Sequence, residues 1–411
     1  MKLDKLLGSG SEDDTWELFI HMERYINRGS PSGFTEKNAV GKPYHPKIGE
    51  ASFDMPFMQK TAHECRLFLA NPDPVLLNLI GCEREKIRFC VHPETFEDLF
   101  SAKELSGHQK AKPTASARTV LTEQEDERYF VKLHFHKMLG RLMRHLSQKR
   151  VEGAAKVSLE LDRLTSLDIL SKSFAYLPES IGIVFPHNGQ EIGVTYREAK
   201  PRPIVVDKRF LIPFFSLFSE DSKSPMDPLL LEQLLRNFDN PLQSFLEKII
   251  IPLIEAYRSI VFDGGLTPEN HAQNILLEID ASGFPTRVVH RDLYEFYADT
   301  MIRKSNDMNV PIDKCIDLAA DPDLGYKTRS YLFDFKFSQY AIDPLVSAYC
   351  DAFSSDKNAL ALQIREIFMR STHQWETYFH PYDTGYKLPP VEQTYQNNKP
   401  LYITMDKSPY R

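Results

Sequence analysis

What this sequence lacks narrows its class before any motif is read. Its five cysteines (Cys65, Cys82, Cys90, Cys315, Cys350) are scattered, odd in number and without a CxxC pair. That argues against a disulfide framework or a zinc ribbon and predicts free thiols in a reducing compartment. No stretch reaches the length of a membrane-spanning helix; the longest apolar runs, such as 249–254, are short and flanked by charge. Residues 1–8 show no apolar leader core, so a cytoplasmic protein with no membrane partner is expected. Basic charge is not in excess either. The net charge of −7 argues against a nucleic-acid partner held by bulk electrostatics, yet leaves room for a local basic pocket. There is no internal repeat, no low-complexity tract and no glycine-rich phosphate loop.

What is present is ordinary globular material: 42% hydrophobic and 26% charged residues over 411 positions, enough for two or three domains. Twenty-seven Phe and 18 Tyr point to mixed structure rather than a plain helical bundle. Trp16, Leu18, Phe19, Met22 and Tyr25 recur at helical spacing. The proline-rich segment 41–49 places His45 and Lys47 near each other in extended backbone. A polar loop is expected over 101–113. Residues 127–149 read as a strand that continues as a basic helix through Met138, Leu142, Met143 and Leu146. The runs 181–185 and 191–196 flank Asn188-Gly189, a hairpin signal. Beyond residue 209 helices dominate, with one long amphipathic helix over 242–262 stopped by Gly264-Gly265.

Within that helical half, residues 266–293 read as polar loop, strand, turn, strand and polar tip. Asp280, Ser282 and Gly283 supply the turn. Such a hairpin brings Glu269, His271 and Asn274, before its first strand, close to Arg291 and Asp292 after its second. Carboxylates, an imidazole, an amide and a guanidinium at one end of a ribbon suit a metal and phosphates, since Mg2+ prefers hard oxygen ligands and Arg prefers anionic oxygens. Upstream, Ser116, Arg118 and Thr119 cluster before an apolar residue, and hydroxyls beside a guanidinium make a phosphate cradle. His134 and His136 share a strand face, but no third metal ligand is visible nearby.

Together these motifs resemble the nonribosomal-peptide-synthetase-independent siderophore (NIS) synthetases, the aerobactin-synthetase-like family. The residues that carry the resemblance are Glu269, His271, Gln273 and Asn274 followed by Arg291 and Asp292; Ser116-Ala-Arg-Thr119; Lys132-Leu133 with Arg144; His45-Pro-Lys-Ile-Gly49; and Tyr196-Arg-Glu198. The resemblance spans about residues 40–370. It implies an α+β, hand-like fold: a reduced thumb over 1–84, strand-rich fingers over 85–208, a mainly helical palm over 209–380 holding the hairpin, and an arm over 381–411. It implies a homodimer, and a reaction in which Mg-ATP adenylates a carboxylate, commonly one of citrate, and an amine or alcohol then displaces AMP. Carried over by position, Ser116, Arg118, Thr119, Lys132, Arg144, His271, Gln273, Asn274 and Asp292 would hold ATP. His271, Arg144 and Lys132 would act at the reacting centre, and Glu269 and Asp292 would hold Mg2+. His45 and Lys47, with Arg144 and His271, would face the carboxylic substrate.

The chain departs from the family pattern in a compressed His-Pro segment and in Leu139-Gly140, where hydroxyl residues are usual. Acid specificity is therefore open to differ from citrate. Two other readings compete. His290-Arg-Asp-Leu293 with Phe333-Asp-Phe335 looks like a kinase catalytic loop and magnesium motif, but the position five beyond Asp292 is Tyr297 and not Asn. A non-catalytic protein that binds ATP or a carboxylate is the other.

Overall fold

Eight antiparallel strands form the largest sheet of the computed structural model, which describes residues 1–28, 40–81, 85–124, 127–139, 142–379, 383–389, 395–396 and 399–411. Their order is Arg66–Leu69, Ile181–His187, Gln190–Glu198, Glu127–Leu133, Thr119–Gln124, Gly107–Pro113, Phe53–Thr61 and Lys86–Cys90. Asn188 and Gly189 both take positive φ (48° and 77°), the backbone a two-residue hairpin needs to follow the strand twist. Ile183, Phe185, Ile192, Val194, Val131 and Leu133 point into a core closed by the helices Pro74–Ile80 and Pro93–Leu99.

Two expectations are corrected in this half. The polar loop expected over 101–113 is in large part the strand Gly107–Pro113. Gln109 and Ala111 face inward while His108 and Lys110 face water, so the period of two is present without the apolar residues that normally reveal it. Gln109 is satisfied by the Tyr129 hydroxyl, 2.7 Å from its Nε2.

The basic helix expected through Met138 and Leu146 is instead a hairpin, Phe135–Leu139 against Leu142–Arg144. Met138 and Met143 are exposed partners across it, so a spacing that mimics a helix face is a cross-strand pair. Gly140 lies outside the described residues. The helix starts later, at Gln148–Ser166. Its buried stripe of Val151, Ala154, Ala155, Ser158, Leu161 and Leu164 has the helical period. It lies so close to the 181–198 hairpin that a Cβ on Gly182 would stand 2.3 Å from Val151, and one on Gly193 2.8 Å from Val151 and 2.5 Å from the carbonyl oxygen of Leu146, just ahead of the helix.

The second half is organised by a four-stranded sheet ordered Arg209–Pro213, Ile275–Asp280, Pro285–His290 and Phe174–Tyr176, the last pairing parallel. Helices cover it and share one large core. Helix Pro241–Asp263 is continuous but widens into π-turns over Leu246–Ile250 and Ser259–Asp263. The first precedes Pro252, where the missing N–H would otherwise break the ladder. The same device recurs over Tyr331–Ile342, ahead of Pro344. No helix among the described residues is long and apolar enough to cross a membrane.

Candidate active site

The large sheet and the 266–297 segment face each other across a cleft of about 1090 Å³. Every residue expected to hold ATP or Mg2+ or to act at the reacting centre lines it, whereas His45 and Lys47 do not. His45 is buried away from the cleft; its Nδ1 lies 3.1 Å from the Lys47 amide and 3.3 Å from the Ile48 amide, so the ring caps its own turn.

One wall begins with the bend 114–118. Thr114 Oγ1 donates to the Thr119 carbonyl at 2.7 Å and accepts the Ser116 N–H at 3.2 Å, so the bend is held by its own bonds. Arg118 donates through Nη1 to the Arg144 carbonyl at 2.8 Å, which docks the 135–144 hairpin onto the bend. Arg144 is thereby presented from a strand rather than from a helix. Burial, and then the neighbouring Arg144 charge, lower the pKa of Arg118. Two guanidiniums held side by side against their repulsion are a site prepared for an anion. Thr119 and Lys132 are cross-strand neighbours, and Lys132 also pairs with Thr195, so the ammonium rises from the sheet centre.

The opposite wall is the hairpin base. The Asn274 N–H donates to the His271 carbonyl at 2.8 Å, Asn274 Nδ2 donates to the Glu269 carbonyl at 3.0 Å, and the Arg291 N–H donates to the Asn274 carbonyl at 2.9 Å. These bonds close the loop 269–274 onto the strand end at 291. Asp292 follows with φ +66°, a left-handed conformation rare for a residue with a side chain. Its carboxylate reaches across the cleft to Lys132. Burial works against its charge, but Lys132, Arg197 and Arg118 outweigh burial, so Asp292 ionises well below the usual carboxylate range.

Glu269 sits 2.8 Å from Lys336 Nζ and accepts from the Tyr331 hydroxyl at 3.1 Å. Burial opposes its charge; Lys336, His271 and Lys314 more than compensate, and its pKa is lowered. His271 Nε2 lies 3.9 Å from Glu269. Burial, reinforced by Lys336, pushes the imidazole down to about 4, so it is neutral near pH 7 and able to accept or donate one hydrogen bond.

Sequence reading missed Lys336, Lys314, Arg150, Glu295 and Glu23 and gave Arg197 no role, and all six line the cleft. Lys314 pairs with Glu295 and lies over the Tyr297 ring at 4.1 Å. Arg197 was visible inside its Tyr-Arg-Glu motif, and Lys336 as the one cation in an apolar run. Glu23 carried no signal.

The kinase-like features resolve otherwise. His290 is buried, stacked on Phe174 with centroids 4.7 Å apart. Asp334, central to the supposed magnesium motif, is buried away from the cleft and held by Arg411 at 2.6 and 2.7 Å.

Comparison with known proteins follows the same line. Residues 90–219 match the model of the IucA / IucC family. The petrobactin biosynthesis protein AsbB from Bacillus anthracis shares the fold at a TM-score of 0.65 and 15% identity, over 97% of this chain and 80% of that one. ATP-bound aerobactin synthetase IucA from Klebsiella pneumoniae does so at 0.69 and 14%, over 95% and 78%. Aerobactin synthetase IucC from the same source gives 0.60 and 13%, over 92% and 80%. A search of curated proteins returns no match. The resemblance to the NIS synthetases read from the motifs is borne out, and the chain has the mixed α+β fold of their solved structures.

Proposed function

We propose that this protein is an ATP-dependent synthetase that adenylates a carboxylic acid, citrate or a related polycarboxylate, and condenses it with an amine or alcohol. The observation that carries the reading is the pair of neighbouring guanidiniums, buried Arg118 and half-buried Arg144, beside Ser116, Thr119 and Lys132, in a cleft of a chain that is acidic overall. That surplus of local positive charge fits a triphosphate. The structural likeness to an ATP-bound aerobactin synthetase supports the same assignment.

In the first step a carboxylate oxygen attacks the α-phosphorus, the bond to the bridging oxygen breaks, and pyrophosphate leaves. Arg118, Arg144 and Lys132 stabilise the charge that builds on the phosphate oxygens. His271, held neutral, hydrogen-bonds the reacting oxygens without adding charge that would tie the acid in its ground state. In the second step the nucleophile attacks the acyl carbon, AMP leaves, and the nucleophile gives up a proton.

Among the described residues no three His, Cys, Asp or Glu side chains are grouped to hold a metal ion. Mg2+ is, however, commonly bound by one or two carboxylates together with substrate phosphates. Glu269 and Asp292 fit that partial role, and Mg2+ would neutralise phosphate charge there.

The test is incubation with Mg-ATP, hydroxylamine and a panel of polycarboxylates. AMP, pyrophosphate and hydroxamate, lost in His271→Ala, are expected. ADP release would indicate phosphoryl transfer, and nucleotide binding without turnover on any acid would indicate a non-catalytic binder.

A further inference from the structure

The two cleft walls are joined by a residue that belongs to neither. Glu23 lies on the helix Glu12–Tyr25, is 1% exposed, and lines the cleft. Its Oε2 accepts the Ala115 N–H at 3.0 Å. Its Oε1 stands 2.8 Å from Arg291 Nη2, an ion pair rather than an aligned hydrogen bond.

Each contact holds a unit. Ala115 is inside the bend that Thr114 locks to Thr119. Arg291 is fixed on its other side by Nε donating to the Gln273 carbonyl at 2.7 Å, and is followed directly by Asp292. The links close a ring: the bend runs into Thr119, Thr119 neighbours Lys132, Lys132 pairs with Asp292, Asp292 adjoins Arg291, Arg291 meets Glu23, and Glu23 returns to the bend. Charge follows the same logic. Arg291 is buried, and without Glu23 its guanidinium would be left without its carboxylate beside the phosphate cradle. Glu23 therefore holds Arg291 as a brace and keeps it from competing for the ligand. The next residue, Arg24, donates to the Pro46 carbonyl at 2.7 Å and the Gly49 carbonyl at 2.8 Å, so the same helix also seats the 45–49 turn.

We infer that Glu23 is a positioning residue of the nucleotide site, setting the registry of the Ser116–Thr119 bend against the Arg291-Asp292 tip; the inference rests on the ATP reading above. Nucleotide contacts themselves survive its loss, because they come from other side chains. What is lost is alignment, and displacement of about 1 Å in a reacting site costs on the order of a hundredfold in rate.

The experiment compares the full-length protein with Glu23→Gln and with Glu23→Gln/Arg291→Met, which also removes the orphaned charge. Expected for Glu23→Gln are an ATP Kd within about threefold of the parent, a kcat for pyrophosphate release lower by roughly a hundredfold, and faster amide exchange over 114–119. In the double variant thermal stability recovers and kcat does not. An unchanged kcat in Glu23→Gln, or a kcat restored together with stability in the double variant, overturns the inference, since the carboxylate would then only balance charge. A parent protein that binds ATP poorly and releases no pyrophosphate overturns the nucleotide reading and this inference with it. A fully active parent beside an unaffected Glu23→Gln overturns this inference alone.

Discussion

Lys132 and Asp292, 160 positions apart, form the ion pair that bridges the cleft between the large sheet and the hairpin tip. The Lys132 side chain is buried, that of Asp292 is 29% exposed, and Asp292 carries a left-handed backbone. A bridge of this kind fixes the distance between the walls and must yield or rearrange when phosphates enter. Lys132→Met and Asp292→Asn are each expected to lower kcat/KM for ATP by roughly a hundredfold, the scale of losing one preorganised charge at a transition state. Pyrophosphate release measures it. If the two residues act through each other, the double variant falls short of the product of the two losses.

Between pH 7 and pH 5 acid should weaken this fold through imidazoles, the lowered carboxylates Asp292 and Glu269 giving up their contribution only at lower pH. Burial holds His271 and His290 down at about 4 and His92 and His134 at about 3. An unfolded chain would take up these protons near pH 6.5. The unfolded state therefore binds more protons, and stability present above pH 6.5 is lost as pH falls toward 4. Urea midpoints should drop steadily between pH 7 and pH 5. His290→Phe, which keeps the ring stacked on Phe174, should flatten that slope. An unchanged slope in the variant would show that His290 does not contribute.

Local chemistry was legible in the sequence and long-range chemistry was not. The loop 269–274 and the tip at 291–292 could be placed together because a hairpin is a short-range device with its own turn signal. The bend 114–119 could be read because hydroxyls beside an arginine carry meaning wherever they fold. Glu23 could not, since its partners lie 92 and 268 positions away and it sits on an amphipathic helix where a glutamate is unremarkable. Strand 107–113 escaped for a related reason: Gln109 occupies an inward position that hydrophobic patterning expects to be apolar. His45, a chemically versatile side chain, lies off the cleft and caps its own turn, a placement that depends on how the 41–49 segment folds.

The contact between the segment leading into helix 148–166 and the 181–198 hairpin gives a prediction about stability with no chemistry in it. Gly193 packs where any Cβ would meet the Leu146 carbonyl at 2.5 Å, a backbone atom that cannot rotate away. Gly193→Ala should destabilise by about 1–3 kcal/mol, the usual cost of overpacking a filled interior. Gly189→Ala has open space around it but a φ of +77°, so its cost is conformational and smaller, about 1 kcal/mol. Thermal unfolding of the two variants should rank them in that order.

Arg118 separates two functions that a lysine could not combine. Its Nη1 donates to the Arg144 carbonyl, which seats the hairpin, while the rest of the guanidinium lines the cleft. A planar fork with five donors can hold a carbonyl and an anion at once; an ammonium on a flexible stem serves one or the other. With a polyphosphate bound to offset burial and the Arg144 charge, Arg118→Lys keeps a cation at the site, so simple electrostatic attraction survives. What fails is the geometry: either the lysine follows the phosphate and Arg144 loosens, or it stays on the carbonyl and the phosphate loses a ligand. The ATP KM should therefore rise about tenfold, the loss of one charge-assisted hydrogen bond. The salt dependence of binding should stay close to the parent's, because the number of charges has not changed. Arg118→Ala would lose both, with a weaker salt dependence and a larger rise in KM. Equal KM values for the lysine variant and the parent would mean that charge alone, not the fork, recognises the nucleotide.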